Sequence, residues 1–211
     1  MNADFVELLW LFDSPPNKIH YGDGYLRQTR NIIRLDLDEA GMLYRYAQRT
    51  WVQPEKLFHH TGRGSIILEI GRYWGGSLVL LATATHHSDV KIISVDFVDG
   101  CHDPDVDDWL NDYEEKERIY IKVDNSHAMK NEYLSLLFVD GDHSYEGVKK
   151  DFIHHWNYLY GDCLAHDYTD PTCKGLTKFI DEWIEEGYAE IIEQVGTMVA
   201  LKKLKDYDKN N

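Results

Sequence analysis

The chain has 211 residues, of which 43% are hydrophobic and 28% are charged, and its formal net charge is −15. This length is enough for one large domain with a buried core. An acidic chain without a local basic stripe repels phosphate backbones. The composition therefore argues against a nucleic-acid partner, and a small molecule or a sugar fits better.

The cysteine spacing and the hydropathy pattern exclude further classes of protein. Cys101, Cys163 and Cys173 show no paired spacing, which argues against a disulfide framework and a structural zinc site. The first residues are interrupted by acidic side chains and lack the basic start of a signal peptide. No run approaches the roughly 18 consecutive apolar residues of a membrane span. The expectation is a cytoplasmic protein without a membrane partner.

In chain order, a turn-rich segment and a helix at 37–51 come first, and residues 1–64 are predicted to form a helical cap at the sheet edge or over the site. Strands are then predicted at 65–71, 91–97, 118–124, 133–142 and 162–168, helices at 75–87, 103–117, 145–159 and 174–187, and a hairpin at 189–204. This alternation predicts an α/β sandwich over 65–204 with a largely parallel sheet and an antiparallel edge strand. Residues 205–211 are expected to form a disordered tail.

A glycine-rich turn, LEIGRYWGGS (68–77), joins the first strand to the first helix of this domain. Gly71 allows a tight turn and a close approach to a ligand. The stretch is not GxGxxG, because Tyr73 replaces the second glycine, which argues against a dinucleotide. Glu69 could favour a cationic cofactor, directly or through the backbone turn. Asp96 ends the next strand, where an acid can accept both hydroxyls of a ribose.

A second stretch, LLFVDGDHSYEGVKKDF (136–152), passes from an apolar strand to Asp140, Asp142 and His143. Aspartate and glycine favour turns, so this change of character is consistent with a simple turn. In α/β folds, however, ligands gather at the carboxyl ends of the strands. The stretch is therefore also a candidate reaction centre.

Residues 69–77 resemble motif I of class I S-adenosylmethionine-dependent methyltransferases, in the form found in catechol and caffeoyl-CoA O-methyltransferases. Residues 136–152, followed by LAHDYTDPTCKGLTKFIDEW (164–183), are similar to a bacterial group of small-molecule and sugar methyltransferases. The resemblance covers about residues 37–203. It implies a Rossmann-like three-layer sandwich with a seven-stranded sheet in the order 3-2-1-4-5-7-6, strand 7 being antiparallel. Dimers are common in this family, so the resemblance also suggests a homodimer.

The resemblance implies S-adenosylmethionine as cofactor and assigns its contacts by position. It assigns the methionine part of the cofactor to Glu69, Gly71, Tyr73, Gly75 and Ser77. It assigns the ribose to Asp96, the adenine to Asn125, Ser126 and His127, and a further cofactor contact to Asp140. These assignments agree with the interpretation of Gly71 and Asp96 from the residues alone.

The metal-dependent branch of the family holds Mg²⁺ with one carboxylate after the fourth strand and an Asp-Asn pair after the fifth. Asp140 matches the first position, and His166 with Asp167 stands at the pair. Oxygen ligands suit Mg²⁺, whereas imidazole suits zinc, manganese or iron better. The resemblance thus implies Mg²⁺ or Mn²⁺, and the residues leave open whether a metal is held.

His143 is the candidate general base, because the unperturbed pKa of histidine lies near neutrality. A lysine stands at the matching position of the catechol-type enzymes. Together these features predict methyl transfer to a hydroxyl oxygen of a small molecule or sugar. Two alternatives stay open: a hydroxylase-like enzyme with iron bound by His143, His166 and one of the two acids, and a non-catalytic nucleoside-binding protein.

Overall fold

The computed structural model describes residues 35–52, 65–97 and 104–208. Its helices and strands follow one another as α1 (Leu37–Val52), β1 (Ile66–Ile70), α2 (Gly76–Ala84), β2 (Lys91–Asp96), α3 (Pro104–Asp112), β3 (Ile119–Val123), β4 (Leu134–Val139), α4 (Tyr145–His155), β5 (Leu159–Ala165), α5 (Lys174–Glu185), β6 (Ala189–Val195) and β7 (Met198–Lys203). Within these ranges, no helix combines the length and the apolar character needed to cross a membrane.

The seven strands form one sheet in the order β3-β2-β1-β4-β5-β7-β6. Neighbours from β3 to β5 pair in parallel, and β7 runs antiparallel to both β5 and β6. The predicted fold class, strand order and antiparallel seventh strand are confirmed. Because β1 to β5 are parallel, their carboxyl ends meet along one edge of the sheet, which is where this topology places a ligand.

The two central strands are buried along their whole length, since helices cover both faces of the sheet. Successive side chains point to opposite faces. Ile67 and Phe138 face a core formed with α1, α2 and α3. Leu68 and Leu137 face a second core formed with α4 and α5. The strand ends that carry the polar residues are therefore held by a rigid centre.

The N-terminal helix α1 lies on one face of the sheet and not at its edge. Met42 and Leu43 are fully buried in the first core, beside residues of α2 and of the central strands. At the far side of α1, the Arg45 guanidinium donates to a carboxylate oxygen of Glu193 on β6 at 2.6 Å. The helix therefore completes a layer of the sandwich. The rest of the predicted cap, residues 1–34 and 53–64, lies outside the described residues.

The fifth strand begins earlier than predicted, at Leu159, and ends at Ala165. The helix predicted over 145–159 is shorter in the structure: α4 ends at His155, and a 3₁₀ turn follows over Trp156–Tyr158. Trp156 is fully buried in the second core. The earlier end of β5 leaves His166 and Asp167 just beyond the strand.

The tail expected to be disordered from residue 205 packs on the domain as far as Asp208. The Trp156 indole N–H donates to the Lys205 carbonyl at 3.0 Å, and the backbone N–H of Tyr207 donates to Asn157 at 2.6 Å. The Tyr207 ring stacks near Trp183, with 5.5 Å between the centroids. A buried tryptophan requires a partner for its N–H, and the tail supplies it. Residues 209–211 lie outside the described ranges.

Candidate active site

A cavity of about 900 Å³ opens at the carboxyl ends of the parallel strands. Ten of the predicted site residues line it: Gly71, Tyr73, Asp96, Asn125, Ser126, His127, Asp140, His143, His166 and Asp167. Its volume is that of a site for a small molecule or cofactor. Glu69, Gly75 and Ser77, which were also predicted to bind the cofactor, are not in its walls.

The turn after β1 is built around Gly71, whose φ is +91°. A Cβ at this position would lie 2.0 Å from the carbonyl oxygen of Asp140, so the two strand ends approach closely only because the residue is glycine. Asp96 fixes the turn from the end of β2. Its Oδ2 accepts the backbone N–H groups of Arg72 at 2.9 Å and Tyr73 at 2.8 Å. Asp96 therefore shapes the turn and also lines the cavity.

Glu69 lies behind the turn and is fully buried. The hydroxyls of Ser77 and Ser94 donate to its two oxygens. Burial raises the pKa of Glu69 to about 7. The two hydroxyls and the nearby Arg72 guanidinium favour the carboxylate and lower this pKa, but the effect of burial is larger. The sequence suggested that Glu69 could act on a cofactor directly or through the backbone turn. Because Glu69 is buried outside the cavity wall, the geometry is consistent only with an effect through the backbone turn. Ser77 serves the same turn from the start of α2.

Two carboxylates and two imidazoles meet after β4 and β5, and we call Asp140, His143, His166 and Asp167 the acid–imidazole cluster. Asp140 Oδ1 lies 3.2 Å from His166 Nδ1 and 3.5 Å from His143 Nε2. Asp167 Oδ2 lies 3.5 Å from each of the same two nitrogens. The sequence predicted that these four residues share a site, and the fold brings them together.

In the acid–imidazole cluster, the carboxylates and the imidazoles shift one another's pKa values. Burial alone would raise the pKa of Asp140, but the two adjacent imidazoles outweigh it and the pKa is lowered. The Asp140 carboxylate in turn raises the pKa of His143. Burial disfavours a charged His166, yet the carboxylates of Asp140 and Glu39 raise its pKa to about 10. The carboxylates therefore favour the protonated form of both imidazoles, and the imidazoles favour the charged form of Asp140.

Glu39, on the first turn of α1, was not predicted. Its Oε2 lies 3.3 Å from His166 Nε2, behind the ring as seen from the cavity. The local sequence signal of Glu39 is that of a helix cap, because it stands three residues after Asp36. Its contact with His166 spans 127 positions of the chain, which no local pattern reveals.

The other end of the cavity is formed by the 3₁₀ turn Ser126–Ala128 after β3. The Ser126 hydroxyl donates to Asp151 on α4, and burial raises the pKa of that carboxyl. The Ser126 carbonyl lies 3.1 Å from Nε2 of the buried His155. Asp151 lines the cavity but was not predicted. This network fixes the turn on which Asn125, Ser126 and His127 were predicted to border an adenine.

The cluster fits a divalent cation. Asp140, His166 and Asp167 each offer one ligand atom, all within 4.8 Å of one another. His143 Nε2 is a buried nitrogen without a hydrogen-bond partner in the described structure. The distances between neighbouring donor atoms of the cluster are 3.2 to 3.5 Å, which suits atoms that bind one shared ion at bond lengths of about 2.1 Å. The imidazole nitrogen of His166 among the donors favours manganese, iron or zinc over magnesium.

A sheet in the order 3-2-1-4-5-7-6, a glycine turn after β1 and an acid at the end of β2 define the fold of class I methyltransferases. Residues 68–168 match the family model described as a methyltransferase domain. No curated protein sequence matches the chain. The family match and the sheet confirm the recognition made from the sequence, and with it the enzyme class.

Solved structures share this fold. The S-adenosylhomocysteine-bound methyltransferase PaMTH1 of Podospora anserina is 16% identical, over 98% of this chain and 89% of its own, with a TM-score of 0.63. CalS11, a TDP-rhamnose 3′-O-methyltransferase of calicheamicin biosynthesis, is 14% identical over 94% and 92%, with a TM-score of 0.56. An S-adenosylmethionine-dependent O-methyltransferase of Thermotoga maritima is 15% identical over 83% and 68%, with a TM-score of 0.55. At these identities the likeness is one of fold.

Proposed function

We propose that the protein transfers the methyl group of S-adenosylmethionine to a hydroxyl oxygen of a small molecule or sugar. The observation that carries this proposal is the single cavity that joins the turn held by Asp96 to the acid–imidazole cluster. The similar structures include O-methyltransferases, and one of them acts on a sugar nucleotide. A homodimer and a cytoplasmic location stay predictions.

The methyl-donor half of the cavity lies between β1, β2 and the turn after β3. S-adenosylmethionine supplies an electrophilic methyl group on a sulfonium. Gly71 and Tyr73 border its methionine part, Asp96 accepts the ribose hydroxyls, and Ser126 with its two neighbours borders the adenine. The residue types fit, because a carboxylate at the end of β2 suits a ribose and the glycine leaves room for close backbone contact.

The acceptor half is the acid–imidazole cluster. S-adenosylmethionine would supply its methyl group to the acceptor oxygen and leave as the neutral thioether with the electrons of the breaking carbon–sulfur bond, and His143 would take the hydroxyl proton. The Asp140 carboxylate lies 3.5 Å from Nε2 of His143 and would stabilise the imidazolium that forms. Such an in-line displacement depends mainly on the alignment of the two reactants, which the rigid strand ends provide.

Asp140, His166 and Asp167 would hold a divalent metal beside the acceptor. A metal at this position supplies Lewis-acid stabilisation of an acceptor oxygen as its charge develops. With His143 as a further donor, the cluster also fits ferrous iron, whose oxygenases use two histidines and one carboxylate. The cluster contains that set, so an iron-dependent hydroxylase is the second candidate. Oxygen consumption by the iron-loaded protein, with no turnover of S-adenosylmethionine, would favour it.

Binding of the methyl donor tests the first proposal. We expect S-adenosylhomocysteine to bind in calorimetry, and Asp96→Ala to weaken its binding by about 10- to 100-fold, because hydrogen bonds to a charged group contribute about 1.5–3 kcal/mol. The control is Asp112→Ala, which removes an exposed carboxylate of α3. Unchanged affinity in Asp96→Ala would disprove the ribose assignment.

A further inference from the structure

The carboxylate of Glu39 joins three parts of the chain that are far apart in sequence. It is 4% exposed. Its Oε1 accepts the backbone N–H of Thr197 at 2.7 Å and the Thr197 hydroxyl at 2.9 Å. Its Oε2 accepts the backbone N–H of Asp36 at 2.9 Å and lies 3.3 Å from His166 Nε2. The start of α1, the β6–β7 turn and the residue after β5 therefore meet at one carboxylate.

A helix cap accounts for only part of this arrangement. Asp36 Oδ1 accepts the backbone N–H of Glu39 at 2.8 Å, and Glu39 accepts that of Asp36, which is a capping box. A capping box uses only one oxygen of the glutamate, whereas burying a charge costs free energy unless it is paired. The β6–β7 turn is also shaped around this carboxylate, since a Cβ at Gly196 would lie 2.5 Å from its Oε1. Helix capping therefore does not explain why Glu39 also contacts His166.

We propose that Glu39 is a positioning residue of the candidate metal centre: it accepts the Nε2 proton of His166 and so directs Nδ1 towards a cation held with Asp140 and Asp167. This inference rests on the proposed function in taking those three residues as ligands. A neutral imidazole has one donor and one acceptor nitrogen, so a carboxylate at one nitrogen leaves the other free to bind a metal. Glu39, His166 and the cation would then form a carboxylate–histidine–metal arrangement.

The test measures cation binding to the full chain. Mn²⁺ affinity is determined by calorimetry and the Co²⁺ complex by visible absorption, and S-adenosylhomocysteine affinity is measured in parallel. Glu39→Gln is expected to weaken Mn²⁺ binding about 10- to 100-fold and to change the Co²⁺ spectrum. S-adenosylhomocysteine affinity is expected to stay unchanged, because Glu39 is not in the cavity wall.

Asp36→Ala is the matched control. It removes the other half of the capping box and should lower the melting temperature, since Asp36 Oδ1 accepts two backbone N–H groups of α1. Mn²⁺ affinity should not change in this variant. If Glu39→Gln fails to fold, Glu39→Asp takes its place, because its side chain is one methylene too short to reach His166 and the same loss is expected.

A change of ligand type gives a sharper test. In a His166→Asp background there is no imidazole for Glu39 to orient, so Glu39→Gln is expected to change Mn²⁺ affinity far less than it does in the wild-type chain. An equally large loss of Mn²⁺ affinity in both backgrounds would show that Glu39 does not act through His166, and would overturn the inference. Wild-type Mn²⁺ affinity in Glu39→Gln would also overturn it.

The proposed function and this inference can fail separately. Absence of Mn²⁺ and Co²⁺ binding to the wild-type chain would overturn the role of Glu39, while S-adenosylhomocysteine binding would leave methyl transfer standing. Absence of S-adenosylhomocysteine binding, with the cation result intact, would overturn methyl transfer and leave Glu39 as the positioning residue of a metal centre.

Discussion

At the scale of single residues, the site depends on side chains whose contribution is to hold the backbone. Gly71 permits the contact between the ends of β1 and β4, and Asp96 fixes the turn between them through two backbone N–H groups. Glu69 supports that turn from the buried side. The geometry of the donor half is therefore set largely by groups that no substrate needs to touch.

Gly71→Ala is expected to destabilise the protein by about 1–3 kcal/mol, because the new Cβ meets the Asp140 carbonyl and the residue has a positive φ. It should also displace the turn and weaken S-adenosylhomocysteine binding. Urea unfolding and calorimetry measure the two effects. Gly41→Ala on α1 is the control: its Cβ would meet only the flexible end of Arg45 at 3.7 Å, and helix propensity predicts up to about 1 kcal/mol of stabilisation.

Glu69 gives a pH dependence of stability with a defined sign. Its folded pKa of about 7 exceeds the ordinary value of 4.5, so the native state binds more protons between these values. The free energy of unfolding of the wild type should therefore fall as pH rises from 4.5 to 7, by up to about 3 kcal/mol relative to Glu69→Gln. Urea unfolding at several pH values checks this. A parallel pH dependence in the two proteins would contradict it, and Glu185→Gln, exposed on α5, is the control.

At the scale of elements, the second core is completed from the end of the described chain. The segment after β7 returns across the 3₁₀ turn that follows α4 and supplies a carbonyl to Trp156 and a ring to Trp183. Both tryptophans lie among the apolar residues of α4, α5 and the sheet. The last turns of the fold are thus part of its packing.

Removal of residues 205–211 should lower the free energy of unfolding by about 2–4 kcal/mol, because it leaves the buried Trp156 N–H without an acceptor and removes the Tyr207 ring. S-adenosylhomocysteine affinity should persist, since the tail is not in the cavity wall. Denaturant unfolding measures the loss. Removal of 209–211 alone is the comparison, and an equal loss in both proteins would contradict the assignment to Lys205 and Tyr207.

Sequence patterns predicted the elements and the strand-end residues of this fold, because parallel strands bring their carboxyl ends together whatever the details of packing. The motif around Asp140 and His143 was found for this reason. Glu39 was not found, since its partner His166 is remote in the chain and its local pattern is that of a cap. The side of the turn on which Glu69 lies could not be predicted either, because it depends on hydroxyls of α2 and β2.

At the scale of the whole molecule, the helix before the matched domain packs into the same core as that domain. α1 fills the first core over the central strands and carries the carboxylate behind His166. The first core therefore includes residues on both sides of the boundary predicted at residue 65. A protein lacking α1 would expose the apolar face formed by Ile67, Phe138 and their neighbours.

Met42→Ala tests this integration. Met42 is fully buried, and its truncation should cost about 2–5 kcal/mol of stability, as for other large-to-small core changes. Leu37→Ala, on the same helix but 41% exposed, should have only a small effect. Thermal unfolding compares the two. Equal, small effects would show that α1 is a separable appendage.

The position of Glu39 also bears on how such an enzyme can change its substrate. The residues that line the cavity all lie between Ile70 and Asp167, whereas the Glu39 carboxylate that contacts His166 comes from α1 and is held by Thr197 of the β6–β7 turn. Under the proposed role of Glu39, substitutions in these two outlying segments change the surroundings of the cation and leave the residues that line the cavity in place. Libraries that vary the surroundings of the cation would best be placed around residues 35–40 and 196–198, which lie outside the residues matched by the family model.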